Sequence, residues 1–340
     1  MKAAIIREHG PELTRVGVEA VPDPTPGPRE ALIRIRACAL NHMDLWARKG
    51  IPGFKFPLPL IPGCDMAGEV VHAHGMEPGT PVVVQPGVSC GHCVACLRGD
   101  DFLCPGYGIL GETQNGGCAE LAVVPRENLI PKPENLSWAE AAAYPLTFLT
   151  AWHMVVGRAA VRPGEIVLVH AAGSGVGSAA IQIAKLHGAV VYATAGSDAK
   201  LALARELGAE VAINYREDPK WSKTAFLHSG KRGVDVVIEH VGKATFDGSV
   251  KALRAGGRLV TCGSTTGGDV QLSLQRLFFK NLALLGSTMG SKGELLEVTA
   301  HMAAGRLTPM VDRVLPLAEV REAHRVLEAR EAFGKVVVTP

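Results

Sequence analysis

Residues 165–185 read EIVLVHAAGSGVGSAAIQIAK, a stretch that restricts the possible folds more than any other in the chain. Glu165–His170 encloses a continuous apolar run, too short for a helix and suited to a strand buried on both faces. A turn of small residues follows, and Ala179–His187 has helical spacing up to Gly188, a helix-ending residue. A strand buried on both faces needs helices above and below it. The downstream sequence supplies them, with strands expected at Val190–Thr194, Val211–Asn214, Val234–Glu239, Arg258–Cys262 and Leu282–Gly286. Between the first two of these, Ser197 or Asp198 caps a helix over Lys200–Leu207, ended by Gly208. This alternation predicts an α/β chain with a doubly wound parallel sheet.

The turn itself points to a ligand. A dinucleotide pyrophosphate needs close backbone approach and free N–H groups at a helix start. Gly173, Gly175 and Gly177 permit this, and Ala172 and Ser174 are small enough not to obstruct it. A tight strand-to-helix turn is the plainer reading, but the βα units that follow favour dinucleotide binding. The second strand ends in Ala195, Gly196 and Ser197, with no carboxylate there to hold a ribose 2′-OH or repel a 2′-phosphate. Ser197, Lys200 and Tyr215 are candidates to bind that phosphate, although Lys200 also reads as a solvated helix residue. NADP(H) is therefore favoured over NAD(H).

The first 130 residues have a different texture. Pro and Gly break them repeatedly, as in VPDPTPGPRE and GMEPGTPVVVQPG, which suggests an irregular β-rich domain. Strands are expected at Ala3–Arg7, Ala31–Ala37, Ala67–His74 and Pro81–Gln85, and a last one at Lys335–Val338 that returns to this domain. With 340 residues, the chain exceeds what one core usually supports, roughly 250 to 300, so two domains are expected. The boundaries expected are 1–146 with 288–340 for the β-rich domain and 147–287 for the nucleotide domain.

Cys90, Cys93, Cys96 and Cys104 form C-x2-C-x2-C-x7-C, within a lobe expected at about 88–106. Four closely spaced thiolates suit a closed tetrahedral zinc site of the structural kind. A ferredoxin run would place its fourth cysteine at position 100, which is Asp100. Asp100 and Asp101, with no basic stripe, argue against a DNA-binding finger. Cys38, Cys118 and Cys262 read as small core residues. His72 and His74 read as a solvated strand face.

Composition narrows the remaining classes. Lys and Arg number 35 against 33 Asp and Glu, which leaves no excess for a polyanionic partner such as nucleic acid. The start MKAAIIREHG has no apolar stretch of signal-peptide type, and no run of 18 apolar residues occurs, so a cytoplasmic protein without a membrane partner is expected. Asn and Gln total 11 against 22 Pro, which suggests a thermophilic source.

A Pro/Gly-punctuated β domain, a four-cysteine lobe and a Gly-rich nucleotide domain, in that order, resemble the medium-chain dehydrogenase/reductase superfamily over essentially the whole chain. The resemblance implies a GroES-like catalytic domain, a Rossmann domain, and an active site between them. The lobe matches the structural zinc lobe of zinc alcohol dehydrogenases cysteine for cysteine. The catalytic-zinc motifs of that family are altered. Its Cys-His-Thr-Asp type motif is Asn41-His42-Met43-Asp44, its Gly-His-Glu is Gly63-Cys64-Asp65, and Leu146 stands at its third ligand. Asn41 in this setting is similar to the quinone oxidoreductase branch, which has no catalytic metal and prefers NADPH.

The resemblance therefore implies hydride transfer from NADPH to a quinone or conjugated carbonyl, with one structural zinc per subunit. Asn41 or His42 would donate to the substrate oxygen, Asp44 would orient its neighbours, and Cys64 and Asp65 would line the site. His42 contacting the cofactor pyrophosphate is an equal alternative. Thr150 and Val176 would pack against the nicotinamide, with Gly263 and Ser264 on its far side. The rivals are a zinc alcohol dehydrogenase with unusual ligands (Cys64, Asp65 and Cys38 or His42) and a non-catalytic NADPH-binding protein. A homodimer or homotetramer pairing through Asn281–Ser287 is implied as well.

Overall fold

The β-branched runs expected to be buried on both faces form one sheet. The computed structural model describes residues 1–340, in two units, Met1–Leu146 with Ser291–Pro340 and Thr147–Gly290. In the second unit six strands are all parallel, in the order Ala209–Asn214, Val190–Ala195, Ile166–Val169, Val234–Glu239, Leu253–Thr261 and Ala283–Gly286. Numbered along the chain this is 3-2-1-4-5-6, and the winding reverses beside Ile166–Val169. Open α/β sheets bind ligands at that reversal, outside the carboxyl ends of the strands. Val234–Glu239, in mid-sheet, is buried at every residue. Ala283–Gly286 forms an edge, with only one neighbouring strand. The helix after the first strand begins at Gly175, earlier than the expected Ala179, because the Ser174 side chain accepts a hydrogen bond from Gly177 N and caps it there.

The first unit is built on a mostly antiparallel sheet in the order Val311–Pro316, Lys335–Thr339, Glu30–Ala39, Asp65–His72, Pro81–Val84 and Leu129–Pro131, with Leu121–Pro125 also paired to Glu30–Ala39. Glu30–Ala39 alternates as a half-buried strand should: Ala31, Ile33 and Ile35 point inward, while Arg34 and Arg36 face solvent. The strand expected at Ala67–His74 runs instead over Asp65–His72, so Asp65 lies on a sheet ladder rather than in a loop.

Register then sets up the site. Ala39 pairs with Asp65 on one side and with Val337 on the other. Continuing the second ladder by two residues brings Lys335 opposite Asn41. The chain reaches that register through Gly334, whose backbone φ of 89° is a left-handed value that a side chain would strain. A carbon added to Gly334 would also lie 2.3 Å from the Met310 carbonyl oxygen. No helix in the structure is long and apolar enough to cross a membrane.

Candidate active site and metal lobe

The four cysteines of the lobe come together. The sulfurs of Cys90, Cys93, Cys96 and Cys104 all lie within 4.8 Å of one another. Cys93–Cys96 is 3.5 Å and Cys90–Cys96 is 3.9 Å between sulfurs. A tetrahedral zinc with bonds of about 2.3 Å places its sulfurs roughly 3.8 Å apart, so the donor set fits that ion. Backbone N–H groups bring Cys90 down to about 6, while burial and the neighbouring cysteines push Cys93 up to about 11. Antiparallel pairing of Gly87–Val88 with Gly108–Ile109 closes the neck of the lobe, and buried Asp101 accepts a hydrogen bond from Lys292 N.

A second cluster forms around Asn41, where strand Glu30–Ala39 gives way to helix His42–Lys49. Asn41 is the N-cap, and Asp44 completes a capping box by accepting the Asn41 N–H at 2.7 Å. The other Asp44 oxygen accepts Gly63 N at 2.7 Å, tying the helix start to the segment before Cys64. Burial raises the Asp44 carboxyl to about 6, against the opposing effect of those two N–H groups.

The Asn41 amide is engaged at both ends. Its Nδ2 donates to Asp65 Oδ2 at 2.8 Å and to Cys64 Sγ at 3.3 Å, while its Oδ1 accepts Lys335 Nζ at 2.5 Å. Lys335 Nζ also donates to Asp65 Oδ2 at 3.0 Å, in an ion pair whose side chains are 4% and 0% exposed. Asp65 Oδ1 accepts Leu146 N at 2.7 Å. Burial, with Asp65 and Asp44 nearby, pushes the Cys64 thiol well above its ordinary value. Cys38 does not join the cluster, since its sulfur sits 3.6 Å from Cys118 in the core.

His42 lies beside the cluster, half-buried. Burial first, then the charges of Arg330, Lys335 and Lys49, bring it down to about 4, so its ring is neutral at pH 7. It can donate or accept a hydrogen bond there but contributes no charge of its own.

These donors do not fit a catalytic zinc. Asn41 and Asp65 are bound up in hydrogen bonds, and Leu146 offers only a backbone N–H that Asp65 already takes. An ammonium sits against both side chains. The four cysteines of the lobe are the one place where three or more His, Cys, Asp or Glu donors converge.

In the second unit the glycine-rich turn follows strand Ile166–Val169, beside which the winding reverses. Ser174 Oγ, at the start of helix Gly175–Leu186, lies 3.1 Å from His240 Nε2. Behind the turn, buried His170 bridges Thr194 and Ser249 at 2.9 Å each, and Ser249 donates to buried Glu239 at 2.7 Å. Gly263 and Ser264 line a cavity of about 320 Å³ with Gly242, Phe246, Thr261 and Val270. Thr150 is buried in helix Pro145–Trp152, and Val176 is half-buried in the first turn of its helix.

At the end of the second strand Ser197 caps helix Asp198–Glu206 by accepting Lys200 N. Tyr215 and Arg216 fold over Gly196: a carbon added to that glycine would lie 2.6 Å from the Tyr215 hydroxyl and 3.1 Å from Arg216 Nε. Asp198, the nearest carboxylate in sequence, accepts a hydrogen bond from Asn214. These residues fit a dinucleotide. Two residues of these clusters, Arg216 and Lys335, lie outside the set that the sequence singles out. Arg216 directly follows Tyr215, which had been singled out, so the signal was available. Lys335 gave no local signal, because its partners lie 270 and 294 residues away in the chain.

Comparison with known proteins adds two family matches, "alcohol dehydrogenase GroES-like domain" over residues 27–134 and "zinc-binding dehydrogenase" over residues 175–304. A quinone oxidoreductase of Pongo abelii is 30% identical, over 99% of this chain and 97% of its own. A crotonyl-CoA reductase of Streptomyces avermitilis is 32% identical, over 95% of this chain and 81% of its own. The crystal structure of an NAD-dependent alcohol dehydrogenase superposes with a TM-score of 0.96 at 48% identity, covering all of both chains.

Proposed function

The chain belongs to the medium-chain dehydrogenase/reductase superfamily as a zinc-type alcohol dehydrogenase-like, NAD(P)-dependent oxidoreductase, and from that premise we propose that it transfers hydride from NADPH to a quinone or α,β-unsaturated carbonyl without a catalytic zinc. One observation carries this reading: the family's catalytic-metal positions are Asn41, Cys64 and Leu146, and the first is hydrogen-bonded to a buried lysine. Reducing an isolated ketone concentrates charge on one oxygen, a charge that a metal stabilises by several kcal/mol. A conjugated acceptor spreads that charge over its own π system and needs less help. The quinone oxidoreductase and the crotonyl-CoA reductase bear names for conjugated acceptors, which supports the same class.

When bound, the dinucleotide supplies the hydride. Ala172–Gly177 and the start of helix Gly175–Leu186 would hold its pyrophosphate, with Ser197, Lys200, Tyr215 and Arg216 at the 2′-phosphate. Thr150, Val176, Gly263 and Ser264 would border the nicotinamide. His42, neutral and half-buried, is the better donor to the substrate oxygen, because both Asn41 amide hydrogens are already taken. Asn41, Asp44 and Asp65 position it by fixing the start of its helix. The zinc of the lobe has a supporting role only. The edge strand Ala283–Gly286, paired on one side, would join a second copy in a dimer, which sedimentation would detect.

An NAD-dependent alcohol dehydrogenase is the second reading, favoured by the 48% identical structure of that name. Purified protein assayed with NADPH and quinone or enone, and with alcohol and NAD+ or NADP+, separates the two. One zinc per subunit and chelator-insensitive reduction of the conjugated acceptors are expected. Two zinc ions per subunit with chelator-sensitive alcohol oxidation would overturn the proposal.

A further inference from the structure

We propose that the ammonium of Lys335 is the resident cation of this site and that it bars a divalent metal from the Asn41–Cys64–Asp65 cluster. The inference deepens the zinc-free reading above and rests on it. Register is the first support: Lys335 and Asp65 flank the end of strand Glu30–Ala39, one on each neighbouring strand, and Asn41 lies between them. The second is saturation. Lys335 Nζ bonds Asn41 Oδ1 and Asp65 Oδ2, and the rest of Asp65 is taken by Leu146 N and Asn41 Nδ2. A metal would have to displace the ammonium from both oxygens and then bear its repulsion at close range. The third is charge balance, since Lys335 and Asp65 neutralise each other in a site almost closed to water. Methionine in place of Lys335 would leave Asp65 and Cys64 exposed to a cation. Cysteine in place of Asn41 would supply a third donor, and a second soft one beside Cys64.

The probe is cobalt(II), added to protein whose lobe already carries zinc. Uptake is read as cobalt per subunit and as thiolate-to-cobalt absorption, neither of which depends on activity. Wild type and Asn41→Cys should take up no cobalt beyond the lobe. Asn41→Cys with Lys335→Met should bind one further ion with a thiolate band, and Asn41→Cys with Lys335→Arg, which keeps the charge, should bind none. Should the methionine variant fail to fold, Asn41→Cys with Lys335→Gln serves in its place.

Equal uptake with and without Lys335 in the Asn41→Cys background, or no uptake after its removal, overturns the proposal. Chelator-insensitive quinone reduction by wild type, measured in parallel, tests the zinc-free reading separately, so either can fail alone.

Discussion

Replacing Lys335 by methionine keeps the length of the lysine's four-atom stem but removes the ammonium, leaving the fully buried Asp65 with Leu146 N and Asn41 Nδ2 as partners. Breaking a buried pair in this way costs about 3–5 kcal/mol, because the surviving charge stays desolvated. A second substitution, Asp65→Asn, removes that charge. The double variant should be only about 1–2 kcal/mol below wild type, the value of the hydrogen bonds that are not re-formed. Asp65→Asn should therefore restore roughly 2–3 kcal/mol to the Lys335→Met variant. The affected unit has about 200 residues, for which each kcal/mol moves the midpoint by about 2–4 °C, so Lys335→Met should melt about 6–20 °C lower. Scanning calorimetry is the suitable assay, since it can resolve two units that unfold separately. A loss below about 1 kcal/mol, the level of an exposed pair, would refute the reasoning. So would Asp65→Asn failing to rescue the single variant.

Other expectations follow from the same geometry. Asp44 has a folded value of about 6, above its unfolded one, so its contribution is full at acid pH and fades as pH rises through 6. Asp44→Asn should remove about 3 kcal/mol of that slope, seen as melting curves of wild type and variant that converge at low pH. His42→Ala should lower kcat about 100-fold and His42→Gln, which keeps a donor, by less; an unchanged kcat in His42→Ala would remove His42 from the reaction. Arg216→Ala should weaken NADPH binding roughly 10- to 100-fold while sparing NADH, as measured by fluorescence titration. Cys96→Ser should lose the zinc and lower the melting midpoint, with kcat for a quinone at 25 °C nearly unchanged in the protein that remains folded; a proportionate loss of kcat would give the lobe a part in the chemistry.

Legibility from sequence followed the distance over which each interaction acts. The parallel sheet was readable because its strands are buried on both faces and bounded by glycine, so IVLV and VDVVIE identify themselves. Val311–Pro316 was missed because Asp312 and Arg313 interrupt it and only alternate residues are partly buried. Leu129–Pro131 is three residues long and ends in proline, which left no period to detect. In the site, Asn41 and Asp44 are three residues apart and interact through the helix start they cap, while the altered Gly63-Cys64-Asp65 motif pointed to the same place. Lys335 reads only as the first residue of a strand. A single lysine before Val-Val-Val has nothing local to distinguish a buried ammonium from a solvated one, and ladder register alone decides the matter.

That register also bears on how the polypeptide is made. The strand Lys335–Thr339 is synthesised after the whole of Thr147–Gly290, yet it pairs with Cys38 and Ala39. Until Lys335–Thr339 leaves the ribosome, the flank of Glu30–Ala39 that it covers is open to foreign strands, and closing so long a loop is slow. The nucleotide domain, contiguous in the chain, completes its own sheet first. A nascent molecule thus passes through a stage in which the sheet of Thr147–Gly290 is finished and that of the other unit is unsealed, the stage at which a chaperone would be of most use.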